Sequence, residues 1–146
     1  MMNIRQYRHS DENDVIGLWR DVFPSAPVRN DPSKDIALKL SEQPELFLVA
    51  VVDGLIVGTA MAGFDGHRGW VYYVAVHSDY RRQGIGSALM IEVEAALAHL
   101  GCPKLNLQIR SSNAEVQAFY ERLGYLIEDR ISMGKQLDPM KGKNGS

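Results

Sequence analysis

The sequence predicts an α+β fold in which helices flank a mixed, mostly antiparallel sheet. An apolar, β-rich run is followed directly by Asp53-Gly54, which is a strong hairpin signal. Apolar residues recur at helical spacing from Ile85 onward, and a strand–helix–strand passage follows late in the chain. We therefore expect the element order β-α-α-β-β-β-α-β-α-β.

Length and composition indicate one folded domain. The 146 residues are 45% hydrophobic and 23% charged, close to globular averages, which excludes a wholly disordered chain. The last stretch, DPMKGKNGS, has no apolar periodicity and contains two glycines and a proline. We expect a single domain over residues 1–137 and a disordered tail over residues 138–146.

Charge and cysteine content limit the partners and the compartment. The formal charge of −2 lacks the basic excess of a general nucleic-acid binder. Cys102 is the single cysteine, so no internal disulfide is expected and the cytoplasm is favoured. No apolar run approaches the roughly 20 residues that span a bilayer, and we expect neither a signal peptide nor a membrane partner. The histidines show no metal-ligand spacing, so no metal is expected.

The first elements follow from local signals. Weak alternation over Asn3–Arg8 predicts a strand, and Ser10 is a candidate cap for the helix that follows. Pro24 ends that helix, and Asp31-Pro32 begins a second one that runs to about Gln43. The inner face of the first helix consists of residues at helical spacing: Val15, Leu18, Trp19 and Val22.

Three antiparallel strands are expected next. They span Leu46–Val52, Leu55–Ala62 and Trp70–Val76, and the first two flank the turn at Asp53-Gly54. The second and third are joined by a polar, glycine-bounded loop, Phe64–Gly69.

The third helix is the clearest element of the sequence. Gly101 stands where a C-terminal glycine belongs, Pro103 prevents the helix from resuming, and Lys104–Ile109 is predicted to be a strand. The inner face of the helix is apolar throughout: Ile85, Leu89, Val93, Ala96, Leu97 and Leu100.

A fourth helix and a last strand complete the pattern. Ser112–Glu115 matches the S-x-x-E capping box at the helix start, and Gly124 ends the helix. Tyr125–Leu137 is then predicted to be the final strand. Four residues share the inner face of the helix: Val116, Phe119, Tyr120 and Leu123.

The loop before the third helix suits an anion. It reads Arg81-Arg82-Gln83-Gly84-Ile85-Gly86 and leads into a helix whose first backbone N–H groups have no partner within the helix. The glycines allow a phosphate to approach the backbone, and the arginines add positive charge. A tight turn with two solvated arginines is the alternative, because a lone G-x-G is a weak signal.

Two segments carry a family resemblance. Val74–Leu89 resembles motif A of the GNAT superfamily of N-acetyltransferases, and Arg81–Gly86 matches its R/Q-x-x-G-x-G/A pattern. Asn113–Tyr125 resembles the family's N-x-x-A-x-x-F-Y-x-x-x-G-F/Y helix, with Val116 where the pattern has alanine. The resemblance covers about Ile4–Leu137 and implies a GNAT-like fold that uses acetyl-CoA as co-substrate, without a metal.

The resemblance also implies a cofactor site. The strand before motif A would carry a bulge and splay from the next strand, and acetyl-CoA would lie in the opening. Backbone groups of Val74 and Val76 would bond the pantetheine arm and the acetyl carbonyl. The residues implied to bind the cofactor are Val74, Ala75, Val76, Arg81, Arg82, Gln83, Gly84, Ile85, Gly86, Ser87, Asn113 and Phe119. Asn113 would either meet the pantetheine or cap the fourth helix.

Catalytic roles follow from the same resemblance. Tyr120 matches the tyrosine that donates a proton to the departing CoA thiolate, although helical spacing alone would make it a core residue. Residues 70–76 contain no carboxylate, so Asp65 and His67 in the preceding loop are the candidates for the base, directly or through water. The alternatives are that this loop is a solvated turn and that water is the base.

The implied reaction transfers an acetyl group from acetyl-CoA to a primary amine by direct attack in a ternary complex. The acceptor would be a small molecule or a peptide, and a homodimer is left open. The first helices and the loop Pro24–Pro32 are expected to form its pocket beside Tyr72 and Tyr73. These segments carry a mixture that suits a polar amine: Trp19, Asp21, Arg29, Asn30 and Asp31. The alternative function is a non-catalytic acyl-CoA-binding or regulatory module on the same fold.

Overall fold

A five-stranded sheet organises the chain. The computed structural model describes residues 1–24 and 31–139. The strands are ordered in space as they are in sequence: β1 (Met2–Gln6), β2 (Phe47–Val52), β3 (Leu55–Phe64), β4 (Gly69–Val76) and β5 (Leu105–Asn106). The helices are α1 (Glu12–Val22), α2 (Pro32–Leu40), α3 (Ile85–His99) and α4 (Ala114–Arg122).

Strand directions confirm the α+β prediction of a mixed, mostly antiparallel sheet. β1 to β4 pair as antiparallel neighbours, whereas β5 runs parallel to β4. Parallel neighbours need a crossover connection, and α3 provides it. The described elements follow the predicted order up to α4.

The turn between β2 and β3 is the predicted hairpin turn. Asp53 has φ = 50° and Gly54 has φ = 79°. A two-residue turn with both φ angles positive twists in the same sense as the strands, which is why Asp-Gly is favoured there.

The start of α1 differs from the prediction that Ser10 caps it. Ser10 lies within a single 3₁₀ turn, His9–Asp11, and the next residue, Asp11, is the cap position. The Asp11 carboxylate accepts hydrogen bonds from Arg8 N at 2.8 Å and from both terminal nitrogens of Arg5 at 2.8 and 3.0 Å. Sequence reasoning chose the hydroxyl and missed the carboxylate because its arginine partner lies on β1.

The start of α2 follows the prediction, since the side chain of Asp31 accepts from Ser33 N at 3.0 Å and Lys34 N at 3.4 Å. The helix ends at Leu40, however, and not near Gln43. Gln43 has φ = 56°, a left-handed conformation that breaks the helical path.

α1 and α3 cover opposite faces of the sheet. A Cβ built on Gly58 would lie 3.0 Å from Leu89 Cδ1 of α3, whereas its neighbour Thr59 accepts a hydrogen bond from Trp19 of α1. Successive residues of a strand point to opposite faces, so the two helices sandwich β3. The core on the α1 side contains Trp19 and Phe47, at 2% and 0% exposure.

The α3 region confirms most of the predicted face. Ile85, Leu89, Val93 and Leu97 are buried. Leu100 is 45% exposed, so its assignment to that face was wrong: it lies beyond the last helical residue. Gly101 has φ = 85°, as expected of a C-terminal glycine. β5 contains only two residues, not the six predicted over Lys104–Ile109.

The chain divides into two compact units, Met1–Ile109 and the residues from Arg110 onward. The second contains α4, whose cap is Asn113, with Val116 N donating to its side chain at 3.1 Å; the prediction that Ser112 caps this helix was wrong. Gly124 follows the helix with φ = 95°.

The predicted strand Tyr125–Leu137 does not form, because no described strand pairs with it. Its large apolar side chains are exposed: Leu126, Ile127, Ile131, Met133 and Leu137. Of the predicted tail 138–146, only 138–139 are described, and they have no regular structure; the others lie outside the described residues. Among the helices described, none is long and apolar enough to cross a bilayer.

Candidate active site

The middle of β4 carries a bulge. Thr59 pairs with Ala75 and Met61 pairs with Tyr72, so Tyr73 and Val74 together oppose the single residue between Thr59 and Met61. Tyr73 has φ = 52°, a left-handed conformation that is uncommon for an aromatic residue. The bulge implied by the family resemblance is therefore present in the strand for which it was expected.

Beyond the bulge, one edge of β4 is open. Among the residues that the structure describes, β5 pairs with β4 at Gly69 and Trp70 alone, at the beginning of β4, so the two strands separate before the bulge. His77 N donates to Val57 O of β3 at 2.8 Å. Since backbone groups along a strand alternate in direction, the N–H and C=O of Val76 face away from β3, toward the open edge. Ala75 pairs with Thr59 of β3, so the C=O of Val74, which is opposite to the Ala75 N–H in the same trans peptide, faces this edge too.

The glycine loop connects this edge to α3. Arg82 and Gly84 both have left-handed backbones, with φ = 63° and 79°. A Cβ built on Gly84 would meet no atom within 4 Å, so the space above this residue is open. The first turn of α3 closes with Ala88 N donating to Gly84 O at 3.0 Å, which leaves the earlier N–H groups of the helix available to an anion.

Side chains in the loop divide into two kinds. Ile85 is 3% exposed and packs into the core, so only its backbone can reach a ligand. Arg81, Arg82 and Gln83 are exposed, and Arg81 Nε donates to Val76 O at 3.4 Å. This bond ties the loop to the end of β4 and holds a guanidinium beside the open edge.

The ring of Tyr73 lies on the α1 side of the sheet. It stacks on Trp19 with ring centroids 3.8 Å apart and planes 12° apart, and its hydroxyl donates to the Asp35 carboxylate of α2. Burial and this bond raise the pKa of Tyr73 well above the ordinary tyrosine value. The sequence did not indicate Asp35 or Thr59. Asp35 lies 38 residues from its partner Tyr73, and Thr59 lies 40 residues from its partner Trp19, so neither contact has a local signal.

Trp19 was expected in an acceptor pocket, but it belongs to the core. It is 2% exposed, and its Nε1 donates to Thr59 Oγ1 at 2.9 Å. Asp31 likewise caps α2, whereas Arg29 and Asn30 lie outside the described residues. Asp21 lines an open cavity of about 340 Å³ between α1 and β3, with His77 and Asp14. Tyr72 is 54% exposed, as a pocket-lining residue can be.

Tyr120 lies on α4 and is 7% exposed. Burial raises the pKa of its hydroxyl to about 12. Its ring makes edge contacts with Phe119 and Tyr125, at centroid distances of 4.9 and 5.6 Å. Of the two roles considered for Asn113, the helix cap is the one that its hydrogen bond fulfils.

Asp65 and His67 lie in the turn between β3 and β4. Asp65 Oδ1 accepts from His67 N and Arg68 N, both at 2.8 Å, and these backbone bonds lower the pKa of the carboxyl. The turn precedes the start of β4, whereas the glycine loop follows its end. The Asp65 carboxylate thus caps its own turn.

The described part of the chain contains no group of three or more His, Cys, Asp or Glu side chains placed to hold a metal ion. The open edge of β4 and the glycine loop offer backbone donors at the bulge and at the start of α3, together with the guanidinium groups of Arg81 and Arg82. Such a set can bind a pyrophosphate-containing ligand along an open strand edge.

Comparisons with known proteins agree with this geometry. A family model described as the acetyltransferase (GNAT) family matches residues 12–125. The chain is 48% identical over 136 residues to an acetyltransferase of Yersinia enterocolitica, with 93% of this chain and 96% of the relative covered. An acetyltransferase of Sodalis glossinidius is 47% identical over 137 residues, with the same coverage of 93% and 96%.

Two solved structures share the fold. An aminoglycoside N-acetyltransferase in complex with CoA superposes with a TM-score of 0.77 at 20% identity, covering 93% of this chain and 95% of its own. A ribosomal-protein-alanine N-acetyltransferase from Escherichia coli superposes with a TM-score of 0.72 at 26% identity, covering 85% of this chain and 77% of its own.

Proposed function

Because the chain belongs to the acetyltransferase (GNAT) family and is an acetyl-CoA-dependent enzyme, we propose that it transfers the acetyl group to a primary amine by direct attack in a ternary complex. The observation that supports this proposal most strongly is the form of β4. Its bulge and open edge run directly into the glycine loop, so backbone donors for an acyl group and for phosphates lie along one path.

Acetyl-CoA would lie along the open edge of β4. The loop from Gln83 to Ser87 would wrap the pyrophosphate, with Arg81 and Arg82 supplying charge. The open space above Gly84 supports this assignment, because a side chain there would occupy the position of the phosphate. Backbone groups of Val74 and Val76 would bond the acetyl carbonyl and the pantetheine arm, with Ala75 between them and Asn113 and Phe119 as further contacts.

The proposed reaction has two bond changes. The neutral amine nitrogen attacks the thioester carbon, and the carbonyl oxygen takes up negative charge that a backbone N–H of the bulge stabilises. The C–S bond then breaks as the tetrahedral intermediate collapses. The thiolate receives a proton, and the amine loses one.

Tyr120 is proposed to protonate the departing thiolate. Burial raises the pKa of its hydroxyl to about 12, which keeps the group protonated at neutral pH, as a general acid must be. The match to the family's tyrosine supports the role, and the edge contacts with Phe119 and Tyr125 fix the ring.

The proton of the amine is proposed to leave through water, directly or with Asp65 or His67 as its acceptor. Both side chains are exposed in the turn before β4. The backbone N–H groups of Arg68 and His67 lower the pKa of Asp65. The carboxyl is therefore ionised at neutral pH, but it is a weaker base than an unperturbed carboxylate.

A small-molecule or peptide amine is the proposed acceptor. The names of both solved relatives describe N-acetyltransferases, one for an aminoglycoside and one for a ribosomal-protein alanine. An acceptor with a primary amine is the chemistry common to these names.

Intact-mass measurement tests the direct attack. The chain is incubated with acetyl-CoA and no amine, and its mass is compared with that of the untreated chain. Direct attack predicts no acetylated protein, because no side chain becomes a covalent intermediate. Stoichiometric acetylation that an added amine then discharges would contradict direct attack and indicate an acyl-enzyme, with Cys102, the single thiol, as the first residue to map.

A further inference from the structure

The bulge in β4 requires support from outside the strand. Tyr73 holds φ = 52°, and an aromatic residue adopts a left-handed backbone only at a cost in free energy. Such conformations persist where surrounding contacts over-determine them, and they concentrate at functional sites. The contacts of Tyr73 therefore indicate what fixes the bulge.

The carbonyl of Tyr73 is held by a buried chain of two hydrogen bonds. Trp19 Nε1 donates to Thr59 Oγ1 at 2.9 Å, and Thr59 Oγ1 donates to Tyr73 O at 2.8 Å. The proton directions are unambiguous, since an indole N–H only donates and a carbonyl only accepts. Thr59 is 0% exposed, so neither bond competes with water.

The ring and the hydroxyl of Tyr73 are also held by contacts with other elements. Trp19 stacks on one side at 3.8 Å, and the hydroxyl donates to the Asp35 carboxylate. Phe23 meets the ring edge at a centroid distance of 5.9 Å. We call the three residues that bind Tyr73 at its carbonyl, ring face and hydroxyl the Tyr73 clamp: Thr59, Trp19 and Asp35.

The clamp determines where the next N–H points. The carbonyl of Tyr73 and the N–H of Val74 belong to one planar peptide unit, and the chain has no cis peptide among its described residues. In a trans peptide these two groups point in opposite directions. A hydrogen bond that fixes Tyr73 O toward Thr59 therefore fixes Val74 N–H away from β3, toward the open edge.

We propose that the Tyr73 clamp is a positioning device for the acetyl group, with Thr59 as its central residue. The clamp orients Val74 N–H toward the thioester carbonyl and so stabilises the negative charge on that oxygen in the tetrahedral intermediate. This inference rests on the proposed function, because it concerns the same acetyl-CoA site.

Comparison of two ligands tests the clamp. CoA lacks the acetyl carbonyl, so its affinity reports the glycine loop and the pantetheine contacts. The ratio of the CoA and acetyl-CoA dissociation constants reports the bulge donor, the N–H of Val74. Titration calorimetry is performed on wild type, Thr59→Val and Thr59→Ser. Valine keeps the shape and removes the hydroxyl, whereas serine keeps the hydroxyl.

Thr59→Val is expected to lower the wild-type preference for acetyl-CoA by about three- to tenfold, as the loss of one oriented hydrogen bond would. Its affinity for CoA is expected to stay within about twofold of wild type, since CoA makes no contact with the bulge donor. Turnover is expected to fall by about tenfold or more. Thr59→Ser is expected to retain the wild-type preference. Equal preference and equal turnover in wild type and Thr59→Val would overturn the inference.

Two further measurements cover the cases in which Thr59→Val does not fold or wild type binds neither ligand. Thr59→Val also leaves the Trp19 N–H unpaired, so if it fails to fold, Tyr73→Phe removes only the bond to Asp35. That variant is expected to shift the ligand preference in the same direction by a smaller factor, and an unchanged preference with unchanged turnover overturns the inference. If wild type binds neither CoA nor acetyl-CoA, the proposed function fails first and the inference fails with it.

Discussion

Gly84 in the loop before α3 and Gly54 in the β2–β3 turn share the same backbone φ of 79°, and a Cβ built on either would meet no atom within 4 Å. An alanine at either position therefore introduces the same kind of backbone strain without a steric clash. Only Gly84 lies where the pyrophosphate of acetyl-CoA is proposed to bind. This pair separates a cofactor effect from a folding effect.

Gly84→Ala is expected to weaken acetyl-CoA binding by about tenfold or more, because the methyl group displaces a phosphate from charged hydrogen bonds. Both variants are expected to lose about 1 kcal/mol of unfolding free energy to backbone strain, but Gly54→Ala is expected to bind acetyl-CoA like wild type. Calorimetric titration and thermal unfolding of both variants make the comparison. Equal loss of affinity in the two variants would contradict a phosphate site at Gly84.

Tyr120→Phe is expected to lower turnover by about 10² to 10⁴ and to leave acetyl-CoA affinity unchanged, since only the proposed acid is lost. The ring still meets Phe119 and Tyr125, so the fold should survive. Tyr125→Phe is the matched control, because it removes a hydroxyl from the neighbouring ring. Wild-type turnover in Tyr120→Phe, measured where chemistry limits the rate, would return Tyr120 to a purely structural role.

Asp65→Asn is expected to reduce kcat/KM for the amine with acetyl-CoA binding intact, because the amide oxygen can still accept the two turn bonds. The backbone N–H groups of Arg68 and His67 lower the pKa of Asp65, so as a base it would act down to below about pH 4, and the rate would lose that acidic limb in the variant.

His67→Ala provides the comparison for Asp65→Asn. An imidazole base would place the acidic limb of the rate near neutrality. Wild-type amine kinetics and an unchanged pH profile in both variants would show that the loop is a structural turn and that water alone takes the proton.

Asp11→Asn is expected to lower the free energy of unfolding at pH 7 by about 2 kcal/mol, because it weakens two hydrogen bonds to the Arg5 guanidinium. The bond from Arg5 holds the pKa of Asp11 below its usual value, so the stability it provides is present above about pH 4 and is lost as the pH falls through the folded-state pKa. Denaturant unfolding across pH 2–7 checks this: a difference in unfolding free energy between wild type and variant that does not shrink as the pH falls below about 4 would contradict it.

Elements whose causes are local could be predicted from the sequence. The Asp31 carboxylate caps the helix that begins at the next residue, and Asp53-Gly54 closes its own hairpin. The glycine loop likewise combines the strand end, the left-handed Gly84 and the helix start within ten residues. Such features need no knowledge of distant contacts, which is why short patterns identify them.

Features that depend on distant contacts could not be predicted. Tyr73 reads as one more apolar strand residue, and only Thr59, Trp19 and Asp35, each on another element, make it the fixed point of a bulge. The error over Tyr125–Leu137 has the same origin. Alternating apolar residues favour a strand, but a strand forms only where a neighbour offers a pairing edge.

The most direct measurement of the central claim is release of the CoA thiol. Wild-type protein is mixed with acetyl-CoA and a panel of amines comprising aminoglycosides, polyamines, amino acids, and peptides with free N-termini or lysines, and free thiol is followed over time. Amine-dependent release is expected with at least one class, reduced in Gly84→Ala at acetyl-CoA concentrations near the wild-type Kd and strongly reduced in Tyr120→Phe. Tight binding of acetyl-CoA with no release above the buffer rate for any amine would contradict it and favour a non-catalytic acyl-CoA-binding module.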